Sequence, residues 1–266
     1  MIQPTRKRNL ALQKELAAAA RAEQKLAQQA MRARPAAWKT DLKQKIPAKV
    51  TAGLESAFAR GFSLIFRHGL PILEKSYSKE TLQADHSILD YAFQLKGSRR
   101  ELKKLRKNAR QSEFRNMAVT ALEGIGLGAL GIGMPDIVLF LGAILRGVYE
   151  TALHYGYGYE SPEEQMRILL MMETSLSTGD DWARGNAAVD LRMQSELPVS
   201  TEDLDAQIRH TAAVFADDLL LLKFIQGLPL VGILGGSANP VYYGKVLRYV
   251  QLKYRQRYLL DQQSRS

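Results

Sequence analysis

The chain has 266 residues, of which 46% are hydrophobic and 24% are charged. This length allows one large or two small domains, and the hydrophobic content excludes wholesale disorder and collagen-like fibres. Cysteine is absent, which excludes disulfide scaffolds, thiolate zinc sites, iron–sulfur clusters and cysteine nucleophiles. The formal net charge of +10 favours anionic partners such as nucleic acid or an anionic membrane surface.

Residues 1–35 predict a basic, Ala/Gln-rich helical extension. One side of it carries a thin apolar stripe made of Leu12, Leu16, Ala19, Leu26 and Ala30. Such a stripe suits a partner helix, including one from another protein, or a weak interfacial contact; a frayed extension is the simpler alternative. Its basic start leads into no apolar core, so we expect no signal peptide. Pro35 and Pro47 then interrupt the chain, and we place the main domain at residues 36–262.

The main domain predicts helices throughout. Ser161, Pro162 and Glu164 form an S-x-x-E capping box with proline at the first helical position, so we expect a helix to begin at Pro162. Ser200 offers a second helix start, and Asn239 before a proline a third. Because no hydrophobic run alternates cleanly with polar residues, the expected fold is an all-α multi-helix bundle.

Two glycine-rich apolar helical segments stand out, at residues 124–145 and 224–238, and the second carries no charge. The second is too short to cross a bilayer as a straight helix. The first contains Pro135, which would break it, and Asp136, which is costly at the bilayer centre. We therefore expect these segments to pack closely within the protein or to form a shallowly inserted hairpin.

Positive charge is concentrated in the first part of the chain. Residues 1–110 hold 24 basic and 9 acidic side chains. The densest run, residues 96–110, predicts a polybasic helix that could bind anionic lipid; pairing with the acidic remainder of the chain is the alternative. The candidate anion-binding residues are Arg99, Arg100, Lys103, Lys104, Arg106 and Lys107.

The C-terminal helix mixes basic and aromatic residues and is the better candidate for nucleic acid, because aromatic rings can stack on bases. The same mixture suits a membrane interface. Its candidate residues are Lys245, Arg248, Lys253, Tyr254, Arg255 and Arg257.

The sequence contains no recognisable catalytic motif. The four histidines match no short metal-ligand pattern, and neither a P-loop nor a nucleophile elbow is found. Asp136, His154, Glu163 and Glu164 come from neighbouring elements and could converge in an acid/base or metal-dependent hydrolase. Helix capping and the helix dipole explain the three acids without catalysis, so we expect no metal and no cofactor.

Two blocks of the sequence resemble the EcsC family. The first block contains Met134-Pro135-Asp136, Tyr155-Gly156-Tyr157 and Pro162-Glu163-Glu164, and the second contains Pro229, Gly232, Gly235, Asn239, Arg257 and Leu259. The likeness extends over roughly residues 40 to 260. The family is mainly bacterial and takes its name from a gene beside an ABC-type exporter. The resemblance therefore implies a helical fold and a membrane-related setting, and it supplies no catalytic residues.

Together these features predict a cytoplasmic, all-helical protein that acts peripherally at the inner face of the membrane or on lipid. A hydrolase and a nucleic-acid-binding protein are the alternatives.

Overall fold

The computed structural model describes residues 4–33, 46–115, 135–225 and 238–265. These residues form helices joined by turns, without a strand among them, which confirms the all-α bundle. In chain order the helices are α1 (Pro4–Arg32), α2 (Ala48–Leu64), α3 (Leu70–Glu74), α4 (Lys79–Lys96), α5 (Arg99–Arg115), α6 (Pro135–His154), α7 (Pro162–Leu176), α8 (Gly179–Gln194), α9 (Thr201–Ile225) and α10 (Ala238–Ser264). A π-helical turn, Ile65–Gly69, joins α2 to α3.

The capping residues act as the sequence predicts. The Ser161 hydroxyl accepts a hydrogen bond from the Glu164 amide, and α7 begins at Pro162. At α9, Ser200 Oγ accepts from the Asp203 amide at 3.1 Å, and the Asp203 carboxylate accepts from the Ser200 amide at 3.3 Å. This reciprocal pair satisfies two of the free N–H groups that every helix start exposes.

Helices α6 and α10 lie at the centre of the bundle. Helix α6 packs against α2, α4, α5 and α10, while α10 packs against α1, α6, α7 and α8. Aromatic rings fill the contact between α2, α6 and α9, where Phe215 lies 5.7 Å from Phe58 and 5.6 Å from Phe62 between ring centroids. Because α10 has neighbours on several sides, some of its polar side chains, including Gln251, Lys253 and Arg255, are buried as well as its apolar ones.

Helix α1 is packed against the body of the protein. It contacts α5, α8 and α10, and Ala11, Leu12 and Ala30 belong to the same hydrophobic core as the central helices. A domain boundary at residue 35 stays a prediction.

Helix α6 is described from Pro135 to His154, and the break that the sequence predicts at this proline stays a prediction. The rest of the two glycine-rich segments, residues 124–134 and 226–237, lies outside the described residues, and so does their expected mutual packing. Within the described part of the chain, no helix is both long and apolar enough to cross a membrane.

Candidate anionic-surface interface

Helix α5 separates apolar from basic residues. Leu102, Leu105 and Ala109 are buried, and the remaining face is exposed and carries Arg100, Lys103, Lys104, Lys107 and Arg110. Their spacings of three and four residues place them on one side of the helix. Arg110 was not among the six candidate residues from the sequence, but it lies on the same exposed face.

The one acid of this run lies inside. Glu101 is buried, and its carboxylate pairs with Lys104 Nζ at 3.1 Å. Among the described residues, the other four bases of the exposed face, Arg100, Lys103, Lys107 and Arg110, have no ion-pair partner. These four side chains remain free to meet an external anion.

Arg99 and Arg106 occupy a different position, on the flank of α5 that faces α1. Arg99 Nε lies 2.5 Å from Glu15 Oε1, Arg106 Nη1 lies 3.7 Å from Glu15 Oε2, and Arg255 Nη2 donates to Glu15 Oε2 at 2.6 Å. Burial opposes ionisation of Glu15, but the Arg99 hydrogen bond and the Arg255 charge outweigh it and hold its pKa below the usual value. These two of the predicted anion-binding residues are therefore engaged in holding α1.

A second basic stripe runs along the outer side of α1. It consists of Lys7, Lys14, Arg21, Lys25 and Arg32, all of them exposed. Spacings of seven and four residues keep it on one face. Both acids of α1, Glu15 and Glu23, lie on the inner side, where they form ion pairs. This stripe was not predicted from the sequence. Its spacing of seven and four residues is the pattern that would have indicated one basic side of the helix.

Helices α1 and α5 contact each other, and both contact α10. Their exposed sides therefore face away from α10 and lie on neighbouring helices. We call the exposed bases of the two helices the basic face: Lys7, Lys14, Arg21, Lys25, Arg32, Arg100, Lys103, Lys104, Lys107 and Arg110.

The C-terminal basic and aromatic residues lie mostly inside the bundle, which corrects their assignment to a binding surface. Lys253, Tyr254 and Arg255 are buried. Lys253 Nζ contacts Glu23 Oε1 at 2.5 Å and Asp190 Oδ1 at 2.6 Å. A charge enclosed by protein is stable only with such partners, so these three residues cannot reach a nucleic acid or a membrane.

The other three C-terminal candidates divide between the interior and the surface. Arg257 Nη1 donates to Glu164 Oε2 at 2.8 Å, and its guanidinium lies 4.1 Å from the centre of the Tyr157 ring. Lys245 and Arg248 are exposed, and Lys245 Nζ donates to the Leu176 carbonyl at 3.3 Å.

Glu164 has a role that its capping position does not reveal. Besides its backbone bond to Ser161, its carboxylate accepts hydrogen bonds from Arg167 at 2.9 Å, Arg257 at 2.8 Å and Tyr254 at 2.6 Å. It therefore joins α7 to α10 through charge-assisted bonds.

The candidate catalytic residues lie in different settings. His154, at the end of α6, is buried, and burial lowers its pKa to about 4; Asp85 opposes this shift and His86 adds to it. Glu163 is partly exposed in the first turn of α7. Asp136 falls in the first turn of α6, but its side chain lies outside the described residues.

Metal binding finds no support in the described residues, because they contain no group of three or more His, Asp or Glu side chains that could hold an ion. The neighbours that influence the His154 pKa belong to α4 and include none of the other three candidates. Among the described residues, no group of neighbouring candidate side chains supports the hydrolase hypothesis.

A cleft of about 470 Å³ lies between α1, α8 and α10. Its polar end consists of Glu23, Asp190 and Lys253, and Asn186 Nδ2 donates to both carboxylates at 2.9 and 3.1 Å. Burial raises the pKa of Asp190, with Glu23 adding and Lys253 opposing. These polar groups bind one another, so the cluster serves to fasten the three helices.

The fold and this surface define a class of protein: an all-helical bundle whose outer face is basic and whose described helices include no membrane span. The chain belongs to the EcsC protein family, whose family model matches residues 11–259. The match begins inside α1, earlier than the sequence resemblance suggested. Comparisons with curated proteins and with solved structures gave no significant match.

Proposed function

We propose that this protein binds peripherally to anionic lipid at the cytoplasmic face of the inner membrane through the basic face of α1 and α5. The observation that carries the proposal is the division of charge on α5. Its described acid is turned inward and paired, while Arg100, Lys103, Lys107 and Arg110 are exposed.

Electrostatic attraction to anionic lipid contributes about 1 kcal/mol for each basic side chain near the surface. The effect requires several bases on one side of the protein, because the attraction decays within about 8 Å at physiological ionic strength. Two adjacent helices supply that arrangement.

Nucleic acid is the competing polyanion. Base stacking requires exposed aromatic rings among the cations, and neither α1 nor residues 99–110 of α5 contain an aromatic residue. Tyr254, which made the C-terminal helix a candidate, is buried. Lipid is therefore the preferred ligand, and nucleic acid enters the test as its alternative.

The test replaces Arg100, Lys103, Lys107 and Arg110 by Gln. At about 1 kcal/mol each, binding to anionic vesicles should weaken by up to about a thousandfold at low salt, and by much less at high salt. The matched control removes the same charge from exposed positions on other elements, Lys49, Arg60, Lys75 and Arg209, and should bind almost as wild type does.

Vesicle co-sedimentation, with anionic and with neutral lipid at two salt concentrations, measures this difference. Equal losses in the two variants would show that net charge alone is responsible and would contradict a specific face. A loss confined to DNA or RNA, measured by gel shift on the same proteins, would replace lipid by nucleic acid.

A further inference from the structure

Helix α4 carries an exposed apolar stripe. Ile88, Tyr91 and Leu95 are 66%, 63% and 64% exposed, and Ala84 extends the line by one turn. Spacings of four, three and four residues place all four on one side of the helix. Single exposed apolar residues are ordinary, but an aligned set of large ones indicates an interaction surface.

The stripe is not needed to hold α4 in the bundle. The opposite side of the helix provides that contact, with Phe93 buried, His86 Nδ1 3.0 Å from the His154 carbonyl oxygen, and Asp90 accepting from the Tyr258 hydroxyl at 2.6 Å. The helix is therefore docked through one face and presents the other to the outside.

The stripe lies next to the basic face. Helix α4 ends at Lys96, and Gly97, with a φ of 55°, turns the chain into α5 after one further residue. The last turn of α4, with Leu95, therefore adjoins the first turn of α5, with Arg100. Both helices contact α6, so their exposed sides face away from it.

We propose that the apolar stripe of α4 inserts into the interfacial region of the anionic membrane that the basic face attracts. This inference rests on the proposed function and adds the part of the protein that enters the lipid. Apolar residues beside a basic stripe match a surface that is apolar within and anionic at its head groups, and tyrosine favours that boundary.

Charge also decides between a membrane and a second copy of the chain. A second copy of the chain would carry the same basic residues, Lys96, Arg100 and Lys103, beside its own stripe, so joining two copies through α4 would add positive charge to positive charge. The like charges would repel, whereas an anionic membrane neutralises them.

The absence of native cysteine allows one label to be placed at a chosen position. A polarity-sensitive fluorophore on Leu95→Cys should shift to shorter wavelength and become protected from an aqueous quencher when vesicles containing anionic lipid are added. The same label on Ala206→Cys, an exposed position on α9, should not change.

A second variant measures how much the apolar stripe of α4 contributes to vesicle binding. Replacing Ile88, Tyr91 and Leu95 by Gln should reduce vesicle binding at high salt by about tenfold or more, because buried apolar area is insensitive to screening. At low salt it should bind better than the variant in which four α5 bases are replaced. Far-ultraviolet circular dichroism checks that the helices are retained.

Each outcome separates this inference from the proposed function. Wild-type protein that binds anionic vesicles while the label at 95 stays in water overturns insertion and leaves the basic face standing. Absence of salt-sensitive binding by wild type overturns both. Concentration-dependent dimerisation in solution that the triple Gln variant abolishes would make a second copy the occupant and overturn insertion.

Discussion

At the scale of single residues, Glu164 stabilises both the start of α7 and the contact between α7 and α10. Its backbone amide completes the Ser161 cap, and its carboxylate binds Arg167, Tyr254 and Arg257. Removing this carboxylate would leave Arg167, which is 3% exposed, without its buried partner.

We therefore predict that Glu164→Gln destabilises the protein more than Ser161→Ala. Breaking a buried ion pair costs about 3 to 5 kcal/mol, whereas the loss of a serine cap costs about 1 kcal/mol. Urea unfolding of the two variants measures the difference. Equal free energies of unfolding would show that the network with α10 contributes nothing beyond the cap.

Gly185 allows α8 to approach α7 closely. A Cβ atom at this position would lie 2.5 Å from Thr174 Oγ1, and Thr174 is buried and β-branched, so it moves with difficulty. We expect Gly185→Ala to lower the free energy of unfolding by about 1 to 3 kcal/mol.

Gly244 provides the matched control, because a Cβ there meets no atom within 4 Å. Gly244→Ala should raise stability by up to about 1 kcal/mol through helix propensity. Thermal unfolding of both variants measures the two changes in stability. If Gly185→Ala stabilised the protein, α7 and α8 would be able to move apart without loss of free energy.

The buried His154 should make stability depend on pH. Burial lowers its pKa to about 4 in the folded protein, against about 6.5 in the unfolded chain. The folded state therefore binds this proton less readily, and its contribution to stability, present above pH 6.5, is lost as the pH falls from 6.5 towards 4.

Between pH 7 and 5 the free energy of unfolding should thus decline in wild type and decline less in His154→Asn. Chemical unfolding at both pH values measures the two slopes. Parallel slopes would mean that His154 titrates equally in the folded and unfolded states.

At the scale of elements, α1 is held to the bundle by ionic contacts. Its inner side contributes Glu15, bound by Arg99 and Arg255, and Glu23, bound by Lys253. Apolar contacts through Leu12 and Ala19 accompany them. The helix therefore needs its two acids to match bases on α5 and α10.

We predict that Glu15→Gln loosens α1. Arg255 would keep its charge in a buried position without the carboxylate, at a cost of about 3 to 5 kcal/mol. Amide hydrogen exchange should accelerate across α1 more than in α7. Glu80→Gln, an exposed acid on α4, should leave the exchange of α1 unchanged; equal exchange in the two variants would contradict an ionic attachment.

At the scale of the whole molecule, charge is separated between inside and outside as well as along the chain. The described acids of α1 and α5 are turned inward and paired, those of α1 with bases on α5 and α10 and that of α5 with Lys104, while the basic face points outwards. The basic face thereby gathers ten exposed bases on two adjacent helices, and such a group can orient a protein towards an anionic surface.

If α1 and α5 act as one surface, bases on α1 should also contribute to vesicle binding. We predict that Lys14→Gln, Arg21→Gln and Lys25→Gln together weaken binding to anionic vesicles at low salt by up to about a hundredfold, at about 1 kcal/mol for each base. The control replaces Lys49, Arg60 and Arg209. Co-sedimentation that shows a loss only for the α5 variant would restrict the interface to α5.

Features that depend only on nearby residues could be predicted from the sequence. Ser161 and Ser200 were recognisable as caps because a cap satisfies amides only two or three residues away. The helical fold and the family resemblance followed from such local patterns together with the glycine-rich blocks. The exposed bases of α5 were also visible, since they form one dense run.

Which charges are internal depends on contacts between distant parts of the chain and could not be predicted from local sequence. Lys253 and Arg257 read like surface residues in the sequence, yet their partners are Glu23 and Glu164, which are 230 and 93 residues away along the chain. Local spacing cannot identify such partners, because a buried charge is stable only when distant segments deliver the opposite charge to it. For the same reason Arg99 and Arg100, adjacent in one basic run, separate in the folded protein into an internal anchor for α1 and an exposed cation.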